Sequence, residues 1–380
     1  MAKFDILADF SKSKGSFLHD AKSGKNYLDL FNMFSSVPIG YGHGIFGDRF
    51  KKEILDNATV KFSKESFENY SFEAFDKEFK DFALQDYAHR HYTNTGALGV
   101  EAAIKLIYKK CGFKNIAVIK NSFHGIYGRA DSLTTRFKGI NKRLDFLPEQ
   151  ENIFSISNLD DLKKIQKLGF GKTRDICAVI VEPIQCTFGD KYLESNFINE
   201  LFAYCRSKNI KVIFDEVQTG FCASGKVWYY KNFEFVPDIL VFGKKAQVSG
   251  VAFNDFFYEN DRTLSCTWDG DVNDAIRCKY IIEAIKKYNL LENIKEKGLS
   301  ILNFLKSLGL EARGVGGIIC VDLPTSETRN NLCDELFSSQ VLVNATGDKS
   351  IRLRPNISIS QKEVDIFKEK FEHCLSSAII

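Results

Sequence analysis

The chain has 380 residues, 44% hydrophobic and 27% charged, with a formal net charge of +3; this composition suits a globular protein of two or three structural units and excludes an electrostatic nucleic-acid binder. No apolar run approaches the roughly 20 residues needed to span a bilayer, so no membrane partner is expected, and the opening MAKFDILADFSKSKGSF lacks the apolar core of a secretory signal. The 10 cysteines form no CxxC pair, which points to buried apolar thiols in a reducing compartment and a cytoplasmic location.

In chain order, YLDLFNMFSSVPIG from Tyr27 comes first. It either joins a unit formed by the far end of the chain or lies over the active site. NTGALGVEAAIK follows, with Gly96 and Ala97 opening a helix and Thr95 as its cap. Val100, Ile104 and Ile107 then recur on one face. IAVIK at Ile116 reads as a buried strand and delivers Phe123 and His124 just beyond its end. ICAVIVEP at Ile176 is a second such strand and delivers Glu182. INELFAYCRSKN is helical, with Ile198, Leu201, Phe202 and Cys205 on one face. KVIFDE at Lys211 and DILVFG at Asp238 are two more buried strands, ending in Asp215-Glu216 and in Gly243-Lys244-Lys245. Strand and helix alternating in this way specify an α/β unit with a largely parallel sheet. Its ligands sit beyond the carboxyl ends of the strands.

The last third changes character. VNDAIRCKYIIEAIKKYNLLENIKEKGLSILNFLKSL is a long helical stretch interrupted near Asn289, followed by strand-like GGIICVDL and SIRLRPNISIS. That pattern specifies a smaller α+β unit.

Four strand ends thus deliver an acid pair, a lone acid, an aromatic with a histidine, and two lysines. Pyridoxal 5′-phosphate would use all of them. It needs a lysine for covalent attachment, a carboxylate at its pyridine nitrogen and an aromatic ring against its face. Its phosphate needs backbone amides at a helix N-terminus. Other motifs fall short. GFGKT at Gly169 lacks the full phosphate-loop spacing, and RGVGG at Arg313 lacks the third glycine of a dinucleotide fingerprint. His89 and His91 have no third ligand in view, so no metal is expected.

The span Asp215 to Ser249 resembles the signature of class III (ω-amino acid) pyridoxal-phosphate aminotransferases, with Asp215-Glu216, Gly220, Asp238 and Gly243-Lys244 in register. Within that family the segments YLDLFNMFSS, GALGVEAAIK, EPIQ, FDEVQTG, FGKKAQVSG, CTWDG and SIRLRP are most similar to those of the L-lysine 6-aminotransferases. The resemblance implies a fold-type I transferase. Residues 1–40 would contribute to the small domain or an active-site cover, 41–265 would form the large cofactor-binding α/β domain, and 266–380 the small α+β domain. It also implies roles. Lys244 is the Schiff-base lysine, with Gly243 letting the backbone turn and Lys245 facing away along an extended segment. Asp215 pairs with the pyridine nitrogen and Gln218 contacts the phenolic oxygen. Gly96 and Ala97 bind the phosphate, Phe123 stacks on the ring, and His124 and Glu182 lie near the cofactor. Thr267 reaches the phosphate of the partner subunit, which implies a homodimer with the active site at the subunit boundary. Arg352 grips the carboxylate of glutamate or 2-oxoglutarate.

Two positions depart from the lysine enzymes. Ile126 stands where they carry a carboxylate-binding arginine, with Arg129 three residues on as a possible replacement. Cys186 and Thr187 follow EPIQ where they have glycine and glutamate. The expectation is therefore an aminotransferase moving a terminal amine between an amine or aldehyde and glutamate/2-oxoglutarate, with free lysine an unsuitable donor. An aminomutase or racemase of the same class, and a non-catalytic relative, are the competing readings.

Overall fold

The computed structural model describes residues 3–112, 114–136, 153–167 and 175–378. The four apolar runs become neighbouring strands, because runs buried on both faces need helices on both sides of the sheet. Asn115–Ile119, Ile176–Val181 and Ile239–Phe242 are buried at every position, and Lys211–Asp215 at all but the first. They sit in a seven-stranded sheet in the order His89–Thr93, Ser249–Phe253, Ile239–Phe242, Lys211–Asp215, Ile176–Val181, Asn115–Ile119, Ile153–Ile156. The last five of these run parallel, with Val179 opposite Val212 and Ile213 opposite Ile239. Ser249–Phe253 is antiparallel to both its neighbours.

The strand period of two sends alternate side chains to opposite faces. Ala178 and Ile180 join Val100, Ile104 and Ile107 of the helix Gly96–Cys111 on one face. Val179 and Val181 join Ile198, Leu201 and Cys205 of the helix Ser195–Ser207 on the other. The long helical stretch is two helices, Val272–Lys287 and Leu290–Ser307, broken at Asn289, whose φ of 50° is left-handed. Asparagine tolerates that conformation better than most residues.

A second, four-stranded sheet is wholly antiparallel and runs Glu311–Val315, Ile318–Asp322, Ser350–Leu353, Asn344–Thr346. The strand-like reading of SIRLRPNISIS holds only to Leu353. Beyond it Ile357 and Ile359 are buried, but their carbonyls accept from the Asn293 side-chain amide at 2.9 and 3.0 Å instead of pairing with a strand. Near the other end of the chain, Asn26–Asp29 pairs antiparallel with Phe17–His19 and parallel with Val341–Leu342. The following residues, Asn32 to Ser35, all have positive φ. This left-handed turn costs on the order of 1–2 kcal/mol per residue. It is held by Asp29, which accepts from the amides of Phe31 and Asn32 and from the Tyr41 hydroxyl. The turn hands the chain to the large sheet, where Gln247 Nε2 donates to the Ser36 carbonyl at 2.6 Å. The N-terminal segment is thus tied both to Val341–Leu342 and to the Gln247 turn. Among the described residues no helix is long and apolar enough to cross a membrane.

Candidate active site

A cavity of about 400 Å³ opens at the carboxyl ends of the parallel strands. Gly96, Ala97, Phe123, His124, Glu182 and Asp215 line it, together with Gln218 and Lys244. A larger depression of about 690 Å³ lies at the opposite strand ends, beside Lys211 and Asp238, and contains none of these groups. The residues singled out in the sequence thus converge because each lies at or just beyond the carboxyl end of a strand of the large sheet.

The floor is a buried pair. His124 Nδ1 lies 2.8 Å from Asp215 Oδ2, and the other Asp215 oxygen accepts from the Val217 amide at 3.1 Å. His124 Nε2 is buried with no partner among the described residues. Glu182 is also buried. Its two oxygens accept from the amides of Phe123 (2.9 Å) and Cys186 (3.1 Å). Burial, reinforced by the nearby Asp215 charge, pushes its carboxyl up to about 8.

Lys244 is open to the cavity and otherwise enclosed. Burial lowers the pKa of its amine; Arg352 adds to that effect, while Asp215 and Glu182 oppose it. The backbone geometry differs from the extended segment expected. Gly243 is itself extended (φ 177°), and the turn is made by Lys244 in the left-handed region (φ 47°), opening a 3₁₀ turn Lys244–Ala246. Space at 243 is tight: a Cβ there would stand 3.0 Å from Ser249 Oγ and 3.3 Å from Val217. Lys245 does face elsewhere, but through that tight turn. It is 1% exposed, with Nζ 3.4 Å from the Val37 carbonyl.

The helix that begins at Gly96 is capped as expected, Thr95 Oγ1 accepting from the Leu98 amide at 3.3 Å. A Cβ on Gly96 would meet Val217 at 2.8 Å. The first-turn amides of any helix lack intrahelical acceptors, and the helix dipole makes this end an anion site. Phosphate, pyridine nitrogen, ring face and carbonyl carbon of pyridoxal phosphate thus each have a matching group in one cavity: helix amides, Asp215, Phe123 and Lys244.

Arg352 stands beside this set. Nη1 donates to the Cys186 carbonyl at 3.1 Å and lies 3.5 Å from Gln218 Oε1, while Nε is buried without a partner among the described residues. The Phe34 ring, carried on the left-handed turn, lies 5.9 Å from its guanidinium carbon. Ile126 is at the cavity wall, 44% exposed. Thr187 has a buried hydroxyl with no partner among the described residues, and its carbonyl accepts from Arg136 Nε at 3.2 Å. Arg129 does not line the cavity. Its guanidinium lies over Tyr108 and Nη1 reaches the Tyr108 hydroxyl at 3.4 Å.

Thr267 is exposed and does not line the cavity of its own chain. His89 and His91 are held by carboxylates, Asp255 at 2.8 Å and Asp269 at 2.9 Å. Among the described residues no group of three or more potential metal ligands occurs. The GFGKT motif lies outside the described residues. Sequence reasoning missed Tyr127, Thr219 and Ser249 in the lining, and missed Arg136. Thr219 and Ser249 lie inside the segments FDEVQTG and FGKKAQVSG, which assign them no role, and no strand end or motif marks Tyr127 or Arg136.

Residues 2–375 match the profile of the family described as aminotransferase class-III. The L-lysine-epsilon aminotransferase of Mycobacterium tuberculosis is 29% identical over 402 residues, covering 95% of this chain and 90% of the relative. The 4-aminobutyrate aminotransferase of Schizosaccharomyces pombe is 25% identical over 432 residues, covering 98% and 93%. Among solved structures, lysine aminotransferase from M. tuberculosis in the internal aldimine form superposes with a TM-score of 0.91 at 25% identity, over 100% of this chain and 97% of that one.

Proposed function

From the premise that the chain belongs to the class III aminotransferases, pyridoxal-5′-phosphate-dependent enzymes that move terminal amino groups, we propose the following assignment of its residues and substrates. Lys244 holds the cofactor covalently, and Asp215, fixed by His124 and the Val217 amide, faces the pyridine nitrogen. Phe123 covers the ring, Gln218 faces the phenolic oxygen, and the amides of Gly96 and Ala97 take the phosphate. The observation that carries this reading is the convergence of Lys244, the Asp215–His124 pair, Phe123 and the Gly96 helix end on one cavity.

When bound, the cofactor supplies an electrophilic carbonyl and an electron sink. The chain supplies the rest. Burial keeps the Lys244 amine readily deprotonated, so as a free amine it can take the proton from the amine-bearing substrate carbon and deliver it to the carbon that carries the cofactor's carbonyl. Asp215, as carboxylate, holds positive charge at the ring nitrogen. Arg352 binds a substrate carboxylate in a two-bond fork, using an Nε that has no protein acceptor among the described residues.

The substrates are a terminal amine or its aldehyde and the glutamate/2-oxoglutarate pair. L-Lysine is disfavoured as donor. Ile126 offers no charge for the lysine carboxylate, and Thr187 cannot cover Arg352 as a glutamate would. The enzyme works as a homodimer whose Thr267 serves the partner's phosphate site. Supporting this, Thr267 is exposed and Trp268 beside it is 51% exposed, as are Phe67 (76%) and Tyr70 (91%). The ten cysteines are all unpaired, which favours a reducing compartment and hence the cytoplasm. Stopped-flow spectroscopy of the cofactor with one donor at a time tests the substrate assignment. Glutamate should convert the bound cofactor rapidly and lysine slowly; conversion by lysine at the glutamate rate would defeat it.

A further inference from the structure

We propose that Asp269 is a positioning residue for the partner subunit's cofactor site: bound to His91 and Asn94 of its own chain, it sets the loop that presents Thr267 across the dimer boundary. The inference rests on the homodimer reading above. Within the loop, exposure changes abruptly. Cys266, Thr267 and Trp268 are exposed, whereas Asp269 is 8% exposed and Gly270 is buried. One Asp269 oxygen lies 2.9 Å from His91 Nε2 and the other 3.5 Å from Asn94 Nδ2. The Asp269 amide donates to the Cys266 carbonyl at 3.1 Å, closing a turn around Thr267 and Trp268.

The next residue fixes the same geometry from below. Gly270 has a φ of 80°, and a Cβ there would touch the Phe72 ring at 3.0 Å. Asp271 then caps the helix Val272–Lys287, accepting from the Asn273 and Asp274 amides at 2.8 and 3.2 Å. So the loop is pinned on its C-terminal side, and Asp269 is the last hydrogen-bonded side chain before Thr267; Trp268 between them has the Lys61 amine 4.5 Å from its ring centre. A buried carboxylate is costly to leave unpaired, which makes the Asp269–His91 contact a stiff constraint. Asn94 stands two residues before Gly96, so one carboxylate ties the loop serving the partner's phosphate to the segment that opens the chain's own phosphate site. Without the anchor, Thr267 would sample many positions and its phosphate contact would weaken in the other subunit.

Hybrid dimers separate action on the partner from action within the chain. Homodimers of Asp269→Ala, and of His91→Phe as a variant that keeps the ring, should release pyridoxal phosphate on dilution about tenfold more readily than wild type, as loss of one hydrogen bond to a charged group predicts. Each variant is then paired with a Lys244→Ala subunit, whose Asp269 loop is intact, and cofactor affinity is read at the Lys244-bearing site. Wild-type affinity should return. A Thr267→Ala/Lys244→Ala hybrid is the control. If the Thr267 hybrid is restored and the Asp269 and His91 hybrids are not, the anchor acts within its own chain and the inference is overturned. If the Thr267 hybrid is not restored either, the shared-site reading itself fails and takes the inference with it.

Discussion

Lys245 offers the sharpest separation between the two adjacent lysines. Its side chain is 1% exposed, and its only hydrogen bond among the described residues is the 3.4 Å contact to the Val37 carbonyl. Asp29 is near, but its oxygens are occupied by the Phe31 and Asn32 amides and the Tyr41 hydroxyl. Burial therefore dominates and, with Arg354 adding and Asp29 opposing, brings the amine down to about 7 from an ordinary 10.5. At pH 7 a shift of that size costs the folded state roughly 4 kcal/mol, an upper figure by linkage. The folded pKa is depressed, so between pH 7 and 10.5 the unfolded chain binds more protons and stability should rise with pH. Methionine matches the stem and removes the amine, at the loss of one weak hydrogen bond worth about 1 kcal/mol. Lys245→Met should thus be more stable than wild type by about 1–3 kcal/mol at pH 7, with the gap narrowing at pH 9. Urea unfolding of the cofactor-free protein at fixed protomer concentration measures this. The holoenzyme should stay coloured and active, whereas Lys244→Ala should be colourless and inactive. A Lys245→Met protein less stable than wild type at both pH values would refute the account of the buried amine. A bleached one would refute the choice of Lys244.

Glu182 and Glu216 are carboxyls pushed up by burial to about 8 and about 7. Between about pH 5 and 7 the folded chain holds protons that the unfolded chain has released, so each contributes a fall in stability of up to about 1.4 kcal/mol per pH unit. Melting of cofactor-free Glu182→Gln at pH 5, 6 and 7 should show a shallower decline than wild type; an unchanged slope would remove Glu182 from the explanation. Asp215→Asn keeps the shape of the His124 contact but not the charge, and should lower transamination about 10²–10⁴-fold while cofactor still binds. Activity within a few-fold of wild type would argue against Asp215 as the ring-nitrogen carboxylate. Arg352→Lys should raise KM for 2-oxoglutarate about 10–100-fold and leave KM for an uncharged amine donor nearly unchanged, a split that initial-rate kinetics resolves.

What could be read from the sequence is what depends on one face or one strand end. Runs such as Ile176–Val181 are apolar throughout because both their faces are covered, and the residue after each run is placed by the sheet itself. The break at Asn289 was legible for a similar local reason. Contacts between distant segments were not. His124 and Asp215 are 91 residues apart and meet only because their strands flank the Ile176 strand. The strand His89–Thr93 carries two histidines and an arginine, and so hides its place in the sheet; Arg90 is paired with Asp76, and both histidines with carboxylates. The Ile357/Ile359 alternation mimics a strand, yet Asn293 supplies the donors a neighbouring strand would have given.

The left-handed turn at Asn32–Ser35 is the most instructive of these hidden features, since nothing in NMFS calls for positive φ and no glycine relieves it. Its strain is sustained by Asp29 below and by the Gln247 bond to Ser36, and its product is the position of Phe34 over Arg352. Gln247 belongs to the same turn as Lys244 and Lys245, so the turn that carries Lys244 also fastens the segment that sets Phe34 over Arg352. Motifs read one strand end at a time do not reveal that connection between the N-terminal turn and the Lys244 turn.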